Sequence, residues 1–212
     1  MKNRLAIIGS GHLGQLIAGH AESCGYHVVG FFDDWTKKGK LVNGLPVYGV
    51  TAEIEQCFKE GVFDCLMVGV GYQHFGMRKQ FFETFEALRI PFATMVHKSC
   101  YVDKGSEVGE GSILLPGCTI DIGVTIGKNV LLNTSCTIAH DTTIGSHSFL
   151  SPRVALAGFI KIGECSMLGI NSTVIDNITI CAKTKVGGGA VVVKNIVTPG
   201  LYVGVPAKLK IK

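Results

Sequence analysis

The sequence holds no apolar run near the ~18–20 residues that a membrane-spanning helix needs, and the apolar stretch of its basic start, MKNRLAIIGSGHLG, ends at Ile8, too early for a secretory signal. A cytoplasmic protein with no membrane partner is the expectation. Charge is scarce: 17% of residues are charged and the net charge is +4. So mild and dispersed a basicity suits an anionic small ligand and argues against nucleic acid. Eight cysteines are present but no Cys-x-x-Cys pair and no compact framework, so buried thiols are expected rather than disulfides or a zinc site. With 47% hydrophobic residues and a mean hydropathy of +0.36, the chain must bury its excess apolar surface within its fold or between subunits.

What the sequence has in quantity is a repeat. Written in rows of six from Tyr101, the second column reads Val102, Val108, Leu114, Ile120, Ile126, Leu132 and continues aliphatic to Val192, sixteen hexads without a break. The third column is often glycine, as at Gly109, Gly127, Gly145, Gly163, Gly169 and Gly187. A period of six fits neither an α-helix nor an ordinary amphipathic strand; it is the signature of a β-helix solenoid. Each hexad supplies one short parallel strand and a corner, three hexads close a triangular coil, and coils stack ~4.8 Å apart through backbone hydrogen bonds. The aliphatic column points inward, and glycine and asparagine are expected where corners need left-handed or tight backbone. Sixteen hexads make a little over five coils, roughly 25 Å of prism at that spacing.

The first half reads differently. Arg4–Ile8 is an apolar strand, Gly9-Ser-Gly-His-Leu-Gly14 follows, and apolar residues at helical spacing run to Cys24 before Gly25. His27–Phe32 is a second strand ending at Asp33-Asp34; Leu66–Val70 is a third, followed by a helix over Phe75–Arg89 and a closing strand Phe92–Val96. This is a βαβ pattern with a parallel sheet, an α/β Rossmann-like domain over residues 1–97, joined without a Pro/Gly-rich linker to an all-β parallel β-helix over 98–212. The GxGxxG at Gly9, Gly11 and Gly14, with Asp33 beyond the next strand, is the context of a dinucleotide fingerprint. Fewer than 100 residues precede the repeat, too few for the two halves that hold a dinucleotide. A shortened fold cradling another nucleotide or phosphate is the preferred reading over an NAD dehydrogenase.

Chemistry is sought where polar residues interrupt the repeat. His140-Asp141 occupies the fourth and fifth columns of TIAHDT, a corner, with Asn133 one hexad earlier. A histidine beside a carboxylate offers a general base whose imidazolium the carboxylate stabilises. A solvated corner pair is the bland alternative. A zinc-dependent hexapeptide enzyme would need three ligands, and only His140 and His147 lie in the repeat. A non-catalytic scaffold would have no need of the His-acid pair.

The chain resembles the bacterial sugar acetyltransferases that join a nucleotide-sugar-binding α/β domain to a left-handed hexapeptide β-helix, of the UDP-4-amino-sugar N-acetyltransferase and sialic acid O-acetyltransferase types. The resemblance is carried by GSGHLG, FFDD, MVGVG, LLNTSCTIAHDTTIG, MLGINSTVIDN, the GGGA at 187–190, VVKN and YVGVPAK at 202–208. It implies acetyl transfer from acetyl-CoA to an amine on a nucleotide-linked, UDP-type amino sugar for glycan synthesis, with no metal; the alternative is O-acetylation of sialic acid or another free sugar. It implies His140 as general base, Asp141 as its supporting carboxylate, and a nucleotide held by Gly11, His12, Asp33, Asp34 and Gly71. It further implies acetyl-CoA near Asn133, Phe149, Ile170 and Gly188, the GVPAK tail over its adenine end, and a homotrimer with active sites between protomers. The sequence departs from that pattern at Phe149, where the family resemblance implies a histidine in contact with acetyl-CoA.

Overall fold

In the computed structural model, which describes residues 3–211, the chain divides between Met95 and Val96 into two compact units. The first holds a five-stranded sheet. Its elements are β1 (Asn3–Ile8), α1 (His12–Ala21), β2 (Tyr26–Phe32), β3 (Leu41–Val42), β4 (Leu45–Gly49), α2 (Ile54–Lys59), β5 (Cys65–Val68) and α3 (Phe75–Ala87). Sheet order is β3-β4-β2-β1-β5, parallel except for the β3–β4 hairpin. Leu5, Ala6, Ile7 and Ile8 are all buried, as a central strand covered on both faces requires. A cluster around Phe32, Phe63, Phe82 and Phe92 packs one side. Because the chain moves from β1 to one side and returns to β5 on the other, the sheet has a topological switch point at the C-terminal end of β1, where α/β sheets bind ligands.

Boundaries differ from the sequence expectations for physical reasons. Helix α1 starts at His12 and takes in Gly14, a position that must be glycine because a Cβ there would lie 2.0 Å from the Gly9 carbonyl oxygen. Strand β5 stops at Val68. Beyond it, the buried Arg78 guanidinium of α3 donates to the carbonyls of Val68 at 2.7 Å and Val70 at 3.2 Å, and burial lowers its pKa to about 10. Phe92 forms only a single parallel bridge with Leu66, and the strand expected from there begins at Met95. The hairpin β3–β4 and helix α2 were not anticipated.

The second unit is the expected left-handed parallel β-helix. Each two-residue strand pairs with the one eighteen residues on: Thr119 with Tyr101 and Thr137, Thr125 with Glu107 and Thr143, Leu131 with Ile113 and Phe149. Three sheets result, and the aliphatic column fills the prism between them. Left-handed backbone recurs at every sixth residue from Gly111 to Gly189, in the fifth column, and ten of these positions are not glycine. Each is locked by its coil neighbour, as where the Asp141 N–H donates to the Ile122 carbonyl at 3.0 Å. The third-column glycines serve a different need: a Cβ on Gly145 or Gly163 would sit 2.5 or 2.3 Å from backbone nitrogen of the next coil. Cys118 and Cys136 stack one above the other and are buried, and all eight cysteines are free thiols. At the far end Leu201–Val203 adds to the third sheet and turns back through Gly204–Ala207 into Lys208–Leu209. No helix among the described residues is long and apolar enough to cross a membrane.

Candidate active site

One edge of the prism carries Lys104, Ile122, His140, Gly158 and Asp176 in register, one per coil. His140 stands in mid-edge with its side chain 44% exposed. Its Nδ1 lies 2.9 Å from Asp141 Oδ2. A carboxylate only accepts hydrogen bonds, so Nδ1 carries the proton and Nε2 is left as the basic nitrogen. Asp141 reaches the ring because its backbone is left-handed (φ 55°), which turns the carboxylate back toward its neighbour.

The ring rests on a glycine. A Cβ on Gly158 would lie 2.7, 2.8 and 3.2 Å from His140 Cε1, Nε2 and Nδ1. The next residue, Phe159, meets the imidazole edge-on, ring centroids 5.0 Å apart at 87°. Imidazole is thus fixed by a hydrogen bond, by the absence of a side chain beneath it and by an aromatic edge. Sequence reasoning missed Gly158 and Phe159, although a spacing of eighteen from His140 and Asp141 marks both as stacking partners.

The residues assigned to acetyl-CoA are not on that edge. Ile170 and Gly188 stack on a second one, between the third and first sheets, with Ile170 54% exposed. A Cβ on Gly188 would come within 3.1 Å of Ile170 Cγ2, so the glycine leaves an apolar step open there. Asn133 belongs to the same edge two coils below, its Oδ1 accepting the Thr134 N–H at 2.8 Å. Phe149 is buried, in register between Leu131 and Met167. His147, on the third edge, is buried with Nδ1 3.0 Å from Asn129 Nδ2.

In the first unit, Gly9, Asp33, Asp34 and Val70 converge around the switch point at the C-terminal ends of β1, β2 and β5. Gly9 turns with φ 97°; Gly11 precedes α1, and no side chain caps that helix, so first-turn N–H groups face outward as an anion site requires. His12 is the first residue of α1 and is exposed; Gly71, beyond β5, has open space around its Cα. Asp33 is spent on the protein itself. Its Oδ2 accepts the Ser10 N–H at 2.7 Å and hydroxyl at 2.8 Å, and its Oδ1 accepts the N–H groups of Trp35 and Thr36 at 2.9 Å. Burial opposes its ionisation, but these donors prevail and hold its pKa below the usual carboxylate range. Asp34 is exposed; its Oδ1 takes the Thr51 N–H at 2.7 Å, and its Oδ2 meets only the Thr51 hydroxyl at 3.0 Å. Asp34 retains acceptor capacity that Asp33 has lost.

Comparison with known proteins bears on both units. The family model of the PglD N-terminal domain matches residues 4–85. The acetyltransferase domain of PglB from Neisseria gonorrhoeae FA1090 is 30% identical, with 98% of this chain and 100% of that one aligned at a TM-score of 0.90. PerB from Caulobacter crescentus, solved with CoA and GDP-perosamine, is also 30% identical, with 97% and 96% aligned at 0.90. WeeI from Acinetobacter baumannii AYE, at 22% identity and 0.80 over 96% of this chain, shares the fold. No curated protein sequence matched the chain.

Proposed function

We propose, because the chain belongs to the acetyltransferase family that carries a PglD-type N-terminal domain, that it transfers the acetyl group of acetyl-CoA to the amino group of a nucleotide-linked amino sugar, with His140 as general base. The observation that carries this reading is the His140–Asp141 pair, fixed over Gly158 with Nε2 as its basic nitrogen. An amine bound as ammonium first loses a proton to solvent; its lone pair then attacks the thioester carbonyl carbon. His140 Nε2 accepts the proton shed as the C–N bond forms. The C–S bond breaks, and CoA leaves as thiolate to take up that proton. Gly158, which lies under the ring, also supports the step: its N–H has no hydrogen-bond partner among the described residues and is available to the developing oxyanion. None of the cysteines is needed for direct attack.

The acceptor nucleotide is assigned to the glycine turn, with its phosphates at the start of α1 near Gly11 and His12 and its base or ribose toward Asp34 and Gly71. Uridine is the nucleoside proposed, on the family resemblance of GSGHLG and FFDD. Acetyl-CoA is assigned to the Ile170–Gly188 step, which fits an extended apolar-and-amide ligand because no side chain fills it. That step and His140 lie on different edges of one prism. A donor and a base that must meet therefore come from two prisms side by side, which supports a homotrimer with active sites between protomers.

Thermal shift with UDP, GDP, dTDP, CMP and NAD, each with and without acetyl-CoA, tests the reading. Stabilisation by UDP together with acetyl-CoA is expected. Stabilisation by NAD and by none of the diphosphates would overturn it, and a response to acetyl-CoA alone would favour O-acetylation of a free sugar.

A further inference from the structure

The single tryptophan of the chain plays no part in the reading above. Trp35 follows Asp34 at the C-terminal end of β2 with 76% of its surface exposed. Exposure alone means little, since lone apolar residues are common on surfaces; position is what matters. Trp35 lines the same switch-point cleft as Gly9, Asp34 and Val70. Among the described residues, no hydrogen bond or ring contact engages its indole. Its backbone, in contrast, is pinned. The Trp35 N–H donates to Asp33 Oδ1, and the other oxygen of that carboxylate holds Ser10 in the glycine turn. One buried carboxylate therefore fixes the root of a free aromatic ring relative to the turn assigned to the phosphates.

We propose that Trp35 is the stacking platform for the nucleobase of the acceptor, with the exposed Asp34 Oδ2, which accepts only the Thr51 hydroxyl, receiving a base N–H beside it. This rests on the reading of the acceptor as nucleotide-linked. Stacking accepts any base because every base has a π face, so it strengthens binding of nucleoside diphosphates in general, while the Asp34 contact favours bases with a ring N–H, uracil, thymine or guanine.

A lone tryptophan makes the test direct. UDP, GDP and dTDP are titrated into the full-length protein, following tryptophan emission and, in parallel, calorimetric heat. Saturable quenching is expected with the same Kd as the heat. Trp35→Ala should raise that Kd roughly tenfold, with Trp35→Phe recovering most of the loss and the thermal midpoint unchanged in both. Calorimetric binding with unaltered emission, or an unchanged Kd in Trp35→Ala, would overturn the inference and leave the nucleotide reading standing. Absence of heat with all three nucleotides would overturn both.

Discussion

At the scale of single residues, the site depends on what two side chains do and one glycine omits. Gly158→Ala places a methyl group against the His140 ring, 2.7 Å from Cε1, and should lower kcat by roughly ten- to a hundredfold, part of the ~10²–10⁴ that general base catalysis supplies. KM for acetyl-CoA and the thermal midpoint should hold, whereas a merely structural role would lower the midpoint and leave kcat. Asp33 predicts a pH effect. Its folded pKa lies below the ordinary value of ~3.9, so its bonds stabilise the fold above that pH, and the contribution is lost as pH falls through the folded value. Asp33→Asn should cost about 1.5–3 kcal/mol at pH 7, the scale of hydrogen bonds to a charged group. In denaturation series from pH 7 down to pH ~2, the gap to the unaltered protein should narrow in acid; a constant gap would remove the carboxylate argument. The sequence made the His140-Asp141 pair legible because a polar pair interrupts an otherwise monotonous repeat. It could not show that Asp33 is spent internally while Asp34 is open, since two adjacent carboxylates read alike until their donors are placed.

At the scale of elements, the period of six was legible because one aliphatic column survives sixteen hexads, and the pairing of every strand with the residue eighteen on follows from it. The two roles of glycine were not separable from spacing. Gly163 is needed because the next coil touches it, Gly189 because its φ is 66° with nothing near its Cβ. Gly189→Ala should therefore cost only the backbone penalty of ~1–2 kcal/mol, and Gly163→Ala distinctly more, by comparison of denaturation midpoints. Equal losses would mean that a single cause explains both. In the first unit the β3–β4 hairpin went unread although Asn43-Gly44, with φ of 49° and 78°, carries the strongest short hairpin signal. The strands beside it are too short to show alternation. The burial of Phe149 was not legible either, since a first-column residue such as Thr119 or Thr137 is exposed while Phe149 is covered.

At the scale of the whole molecule, the β-helix carries His140 on one edge and the Ile170–Gly188 step on another, with Val197, Val205 and Ile211 largely exposed near the C-terminus. Sedimentation should return about three times the 22.6 kDa chain mass; a monomer that still turns over would end the idea of sites shared between protomers. The central claim is tested most directly by mass spectrometry of a reaction holding the protein, acetyl-CoA and a UDP-linked 4-amino sugar, run beside His140→Ala. The account predicts the N-acetylated sugar and free CoA in equal amounts, formed ~10²–10⁴-fold more slowly by the variant while its acetyl-CoA affinity is retained. An equal rate in His140→Ala would contradict the assignment of the base, and no acetylated product from UDP-, GDP- or dTDP-linked amino sugars would contradict the proposed reaction.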